Sequence, residues 1–257
     1  MFAEAHLSRD AFLGGRLHLW QPLKGYRAAT DPVLLAAACP ARAGQSVLDI
    51  GCGAGAAALC LASRVPGLVL AGLEVQADYA ALARRNAAEN GVEMQVVEGD
   101  LSAMPAILQR GFDHVIANPP YYPRRGTPSP DASRDLALRA EQPLTLWVDA
   151  AARRLSPGGW LTMIFGTDAL PEVLAALAPR LGSAAALPLA ARENRSALRV
   201  ILQARKGGRA AFRLLPPLIL HRGAAHDGDH DSHMPNVSAV LRQGAGICEE
   251  FSRIHRA

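Results

Sequence analysis

Asn118-Pro119-Pro120-Tyr121 is the stretch of this chain whose residue types fit chemistry better than folding alone. Two consecutive prolines fix two φ angles and remove two backbone donors, and the first keeps Asn118 out of helical geometry. The product is a stiff extended corner with an amide oxygen, carbonyls lacking competing neighbours and an aromatic ring. It suits a planar substrate that carries an amino group. The amide oxygen and a backbone carbonyl each accept one N–H, and the ring stacks on the plane. An adenine N6 or a glutamine amide is a poor nucleophile because its lone pair is delocalised. Two accepted hydrogen bonds draw the N–H groups aside and turn the lone pair toward an electrophilic carbon. That step needs positioning and electrostatics more than a strong base.

A second constellation is Val47-Leu48-Asp49-Ile50-Gly51-Cys52-Gly53-Ala54-Gly55, an apolar strand that ends in alternating glycines before a helix. Glycine is needed where the turn is tight and a ligand approaches the backbone. Cys52 has no base beside it and reads as a small space-filler. Glu74 stands about 20 residues beyond the glycines, where a carboxylate accepts ribose hydroxyls. Asp100, in Glu98-Gly99-Asp100, suits an amine at the next strand end. These residues describe an adenosine pocket. Gly51, Gly53 and Ala56 also satisfy the relaxed dinucleotide fingerprint, so NAD and S-adenosylmethionine both remain open at this point.

The elements that must position these residues follow from the apolar rhythm. Residues 11–27 alternate about Gly14-Gly15 as a hairpin, and Asp31-Pro32 begins a helix that Pro40 stops. Strands are expected at 47–50, 68–73, 94–97, 112–117, 160–165, 185–189 and 198–203. Helices are expected at 56–65, 78–89, 142–155 and 170–181. Asn90-Gly91 closes one helix, because glycine accepts the left-handed conformation. Continuously apolar strands alternating with helices imply a sheet buried on both faces. The expected fold is α/β: a doubly wound, mostly parallel Rossmann-like sheet with helices on both faces and a small N-terminal hairpin extension. The expected division is an extension over 1–45 packed on the cofactor site, a cofactor-binding domain over 46–205, and a basic and polar tail over 206–257, within the same domain or beside it.

The Asp49–Gly55 loop, Glu74, Gly99-Asp100 and Asn118–Tyr121 together resemble the class I S-adenosylmethionine-dependent methyltransferases that act on amino groups. Gln21-Pro22-Leu23-Lys24-Gly25-Tyr26-Arg27 and Thr30-Asp31-Pro32-Val33-Leu34-Leu35 resemble one branch in particular, the bacterial valine-tRNA adenine-37 N6-methyltransferases. The likeness covers roughly residues 10–205. It implies cofactor contacts at Asp49, Gly51, Gly53, Gly55, Glu74, Asp100 and Asn118, with Thr30 and Asp31 lining the methionine side. It implies that Asn118, Pro119, Pro120 and Tyr121 form the catalytic corner.

The chain has 257 residues, half of them hydrophobic and 19% charged, which excludes disorder as its main state. Its net charge of +4 tolerates a nucleic-acid partner without requiring one. An adenine in folded RNA must be unstacked, so phosphate contacts must supply grip. Candidate RNA contacts are Lys24, Arg27, Arg124, Arg125, Arg205, Lys206 and Arg209. Arg124 and Arg125 belong to a Pro/Gly-rich loop after the corner. The last three belong to a run from Arg192 to Arg222 that contains eight basic residues and one acid, Glu193. Cys39, Cys52, Cys60 and Cys248 form no CxxC pair, so neither a disulfide frame nor a structural metal is expected. The His/Asp-rich stretch 226–233 fails as a calcium loop, since positions six and twelve from Asp227 hold Ser232 and Ser238. Glu4, Arg9 and Asp10 interrupt any leader-like segment, and no apolar run reaches about 18 residues, so a cytoplasmic protein is expected. Oligomeric state is not fixed.

The leading expectation is transfer of a methyl group to the N6 of an adenine in tRNA. Rivals are a protein glutamine N5-methyltransferase and an adenine methylator of rRNA or DNA. An NAD-dependent oxidoreductase would leave the proline corner without work, and a non-catalytic RNA-binding module would retain only a relic pocket.

Overall fold

The computed structural model describes residues 2–120, 143–223 and 232–252. A hairpin of β1 (Leu7–Phe12) and β2 (Leu17–Pro22) is followed by α1 (Thr30–Ala38). Five strands and four helices follow: β3 (Ser46–Ile50), α2 (Ala56–Arg64), β4 (Val69–Glu74), α3 (Ala77–Glu89), β5 (Met94–Glu98), β6 (Phe112–Ala117), α4 (Leu144–Arg154), β7 (Leu155–Gly166) and α5 (Leu170–Leu177). The chain then adds β8 (Leu181–Ala190), β9 (Arg199–Lys206), β10 (Arg213–Leu214), β11 (Leu218–Ile219), α6 (Pro235–Gln243) and α7 (Cys248–Ser252).

The nine-stranded sheet runs β10-β8-β9-β7-β6-β3-β4-β5, with β11 also on β8. Strands β3 to β7 pair in parallel, and β9 lies antiparallel between β7 and β8. The expected doubly wound α/β sheet is therefore present, with one reversed strand that the apolar pattern does not reveal. Apolar residues cover both faces, as continuously apolar strands require. One face holds Val47, Ile116, Ile164 and Ile201 against α1 and α2; the other holds Leu48, Val115, Leu161 and Leu202 against α4 and α5.

The hairpin begins four residues earlier than expected, and its turn is Leu13–Gly15, all three at positive φ. Ser156–Gly159, ahead of the strand expected at 160–165, already belongs to β7, which has a register irregularity against β6. In the segment expected as a tail, Val237, Val240, Ile247 and Phe251 are buried in the same core as Val47 and Leu35. There Arg16 donates to the Gln243 carbonyl at 2.8 Å, and the Ile247 N–H donates to the Ala37 carbonyl at 2.9 Å. Burial pushes the Cys39 and Cys60 thiols up to about 12, which suits packing and not nucleophilic chemistry. No helix among the described residues is long and apolar enough to cross a membrane.

Candidate active site

Strand β3 has β4 on one side and β6 on the other, so the chain order reverses at its carboxyl end. Open α/β sheets bind ligands in the crevice at such a point. The glycine loop leaves β3 there, and Asn118 leaves β6 beside it, because Ile50 and Ala117 are register partners.

Gly51, Gly53 and Gly55 adopt φ of 67°, 56° and 88°, a region that β-carbons disfavour. The Gly51 and Cys52 N–H groups both donate to the Leu73 carbonyl, at 2.8 and 3.0 Å, which ties the loop to the end of β4. The Glu74 carboxylate sits under the loop. One oxygen accepts the Gly53 N–H at 2.9 Å and the other the Gln76 N–H at 3.0 Å. Asp49 is only 2% exposed and accepts the Ala58 N–H at 3.3 Å. Its carboxyl is pushed up from 3.8 to about 8, chiefly by burial, with the Glu74 charge adding and the Ala58 N–H opposing. Asp49 thus braces the start of α2 from beneath instead of opening into the crevice. Asp100 accepts the Ser102 N–H and hydroxyl, both at 2.6 Å, and this turn sits beside Glu74 because the Gly99 N–H donates to the Glu74 carbonyl.

Sequence reasoning missed Tyr26, which spans both halves of the crevice. Its phenol oxygen accepts a hydrogen bond from Asn118 Nδ2 at 3.1 Å. Its ring lies 3.7 Å from where a Gly53 β-carbon would stand. The buried Tyr79 hydroxyl donates to the Tyr26 carbonyl at 3.0 Å. The hairpin whose second strand leads to Tyr26 is clamped by Asn86 on α3 and by Asn90 at the C-terminal cap of that helix, one turn on. Asn86 bonds the N–H and carbonyl of Trp20, and Asn90 does the same for His18, so both side chains imitate a neighbouring strand. The available signal was the i,i+4 asparagine pair.

The remaining expected site residues are placed as follows. Thr30 opens α1 at the surface, and Asp31 forms an ion pair with Arg199 at 3.3 Å. Arg27 bonds Asp10 at 2.6 Å as well as Ser8 and the Pro22 carbonyl, so it staples the hairpin. Lys24 is exposed. Arg205, Lys206 and Arg209 are not brought to the crevice. Arg205 is level with Trp160 at the opposite edge of the sheet and donates to the Gly158 carbonyl. Lys206 donates to the Ala152 and Leu155 carbonyls at the end of α4. Arg199, level with Gly166, marks the crevice end of β9. Pro119 is buried and Pro120 half-buried. Tyr121, Arg124 and Arg125 lie outside the described residues, as does most of the His/Asp-rich stretch.

These groups fit an adenosyl cofactor: a loop without β-carbons at 51, 53 and 55, with carboxylates at the ends of β4 and β5. The methyltransferase small domain matches residues 29–178. A Shewanella tRNA1(Val) (adenine(37)-N6)-methyltransferase is 31% identical over 172 residues, spanning 65% of this chain and 72% of that protein. A Porphyromonas gingivalis protein of the same name is 34% identical over 174 residues, spanning 64% and 68%. A Geobacter sulfurreducens release factor glutamine methyltransferase is 33% identical over 138 residues, but the match spans only 48% of that protein. Among solved structures, a predicted O-methyltransferase from Agrobacterium tumefaciens shares a TM-score of 0.69 at 26% identity, covering 84% of this chain and 97% of that one. A Thermus thermophilus 16S rRNA methyltransferase in complex with AdoMet and guanosine shares the fold at a TM-score of 0.55 and 20% identity, covering 78% of this chain and 50% of that one. The chain belongs to the methyltransferase small domain family.

Proposed function

We propose that this S-adenosylmethionine-dependent methyltransferase methylates the exocyclic N6 of an adenine in tRNA, A37 of a valine tRNA by its relatives. The observation that carries the reading is the adjacency of Asn118 and the glycine loop at the switch point of the sheet. The tRNA relatives are matched over about two thirds or more of their length, the glutamine methyltransferase over about half, which favours the nucleic-acid substrate. The NAD reading has no use for the proline corner.

The bound cofactor supplies a methyl carbon on a positively charged sulfur. The chain's own residues hold the base. The Asn118 amide oxygen accepts one N6–H, and the Pro119 carbonyl accepts the other. The two acceptors would fix the amino group edge-on; formation of the C–N bond would be matched by breaking of the methyl–sulfur bond, its electron pair leaving with the neutral thioether, and the amine would then lose a proton to solvent. Pro119 and Pro120 keep the corner from relaxing, since both φ angles are fixed by their rings. Glu74 holds the glycine loop open for the adenosyl moiety, and Asp100 stands at the neighbouring strand end.

Labelled cofactor incubated with total tRNA from a strain lacking the gene should give N6-methyladenosine on nucleoside mass spectrometry. Asn118→Ala should retain cofactor binding and lose two or more decades of methyl transfer, by analogy with loss of one oriented polar group. Labelling of a release-factor glutamine in place of tRNA, or unchanged turnover in the Asn118 variant, contradicts the reading.

A further inference from the structure

We infer that Tyr26 is a positioning residue for methyl transfer, setting which end of the Asn118 amide faces the acceptor nitrogen. The inference rests on the role proposed above for Asn118. A primary amide has a donor end and an acceptor end, and rotation by half a turn about its last torsion exchanges them. Only the oxygen end accepts an N–H from the acceptor amine. The reversed amide would present two donors to two donors.

The structure couples that choice to Tyr26. Asn118 Nδ2 donates to Tyr26 Oη at 3.1 Å, so the amide oxygen is turned to the other side. Tyr26 is itself held in place. Tyr79, 4% exposed on α3, donates its hydroxyl to the Tyr26 carbonyl at 3.0 Å. The preceding Gly25 has φ of 101°, and a β-carbon there would stand 3.0 Å from the Tyr79 hydroxyl. Arg27, on the other side, is bonded to Ser8, Asp10 and the Pro22 carbonyl. The Asn86 and Asn90 clamps fix the hairpin upstream. A phenol on so constrained a backbone costs little to orient, and that is the requirement for a preorganised support behind a reacting group.

Tyr26 also faces the cofactor half of the crevice, its ring 3.7 Å from where a Gly53 β-carbon would stand. The two contacts are separable. Tyr26→Phe keeps the ring and removes the oxygen; Tyr26→Ala removes both. The Phe variant is expected to lower kcat roughly 10- to 100-fold, in line with loss of one oriented hydrogen bond. Its cofactor Kd should stay within about twofold of wild type, whereas the Ala variant should also weaken cofactor binding. Because Tyr26 acts through Asn118, the double variant Tyr26→Phe/Asn118→Ala should be no slower than Asn118→Ala alone.

The experiment is single-turnover methylation with labelled S-adenosylmethionine, run beside cofactor titration by calorimetry, for wild type, the two Tyr26 variants, Asn118→Ala and the double variant. The acceptor is whichever of total tRNA or a release-factor glutamine peptide the wild type methylates. The acceptor result judges the substrate reading, and the variants judge Tyr26 on either acceptor. An unchanged kcat in Tyr26→Phe, a loss wholly in cofactor Kd, or losses that multiply in the double variant would each overturn the role.

Discussion

The indole of Trp147 on α4 lies against Gly51, so that a β-carbon at Gly51 would stand 2.5 Å from the ring. The first glycine of the loop is therefore held by tertiary packing as well as by its φ of 67°. Trp147, 7% exposed, seals the underside of the turn.

Gly51→Ala should accordingly be costly in two ways: about 1–2 kcal/mol for the left-handed backbone and about 1–3 kcal/mol for overpacking. The expected outcome is a fall in Tm of several degrees and a cofactor Kd raised at least about tenfold. Thermal denaturation and calorimetric titration check it. Gly44, also at positive φ but with open space around it, is the control: Gly44→Ala should lower Tm less and leave cofactor affinity alone.

Asp49 gives the protein a pH signature. Its folded carboxyl holds a proton up to about 8, while the unfolded chain releases it near 3.8. Ionisation thus opposes folding. The contribution is complete below about 3.8 and is lost as pH rises through about 8. Asp49→Asn keeps an oxygen for the Ala58 N–H and cannot ionise, so it should gain stability relative to wild type between pH 5 and pH 8.5. Parallel Tm curves for the two cofactor-free proteins across that window would show that Asp49 remains ionised when folded.

The basic run divides between the two edges of the sheet. Arg199 and Arg205 are six residues apart on β9, roughly 20 Å along the strand, with Arg199 toward the crevice. Arg195, in the exposed loop before Arg199, is the better candidate for phosphate contact. Arg195→Glu should weaken tRNA binding and reduce its salt slope by about one. Arg209→Glu, at the far edge, should change neither. Filter-binding titrations at several salt concentrations distinguish them, and equal effects of the two reversals would remove the loop from the binding surface.

The alternation of strands and helices was legible because parallel strands buried on both faces are apolar throughout, and one of their helices, α3, ends on a local signal, Asn90-Gly91. The loop at 51–55 was legible for a related reason. Left-handed turns select glycine, and paired prolines fix their own backbone. These are short-range constraints, written in residue type.

The direction of β9 was not written that way. An apolar run reads the same whether it pairs in parallel or antiparallel, yet direction decides which arginines meet the crevice. Tyr26 and Asn118, 92 positions apart, could not be paired from local pattern either, because their contact depends on the docking of the hairpin on α3. By itself the sequence determined the alternating strands and helices, the glycine loop and the stiff corner, since apolar periodicity and steric limits on φ act over short stretches of chain. The tertiary structure alone decided which side chains support the corner, since that depends on hydrogen bonds and packing between segments distant in the chain.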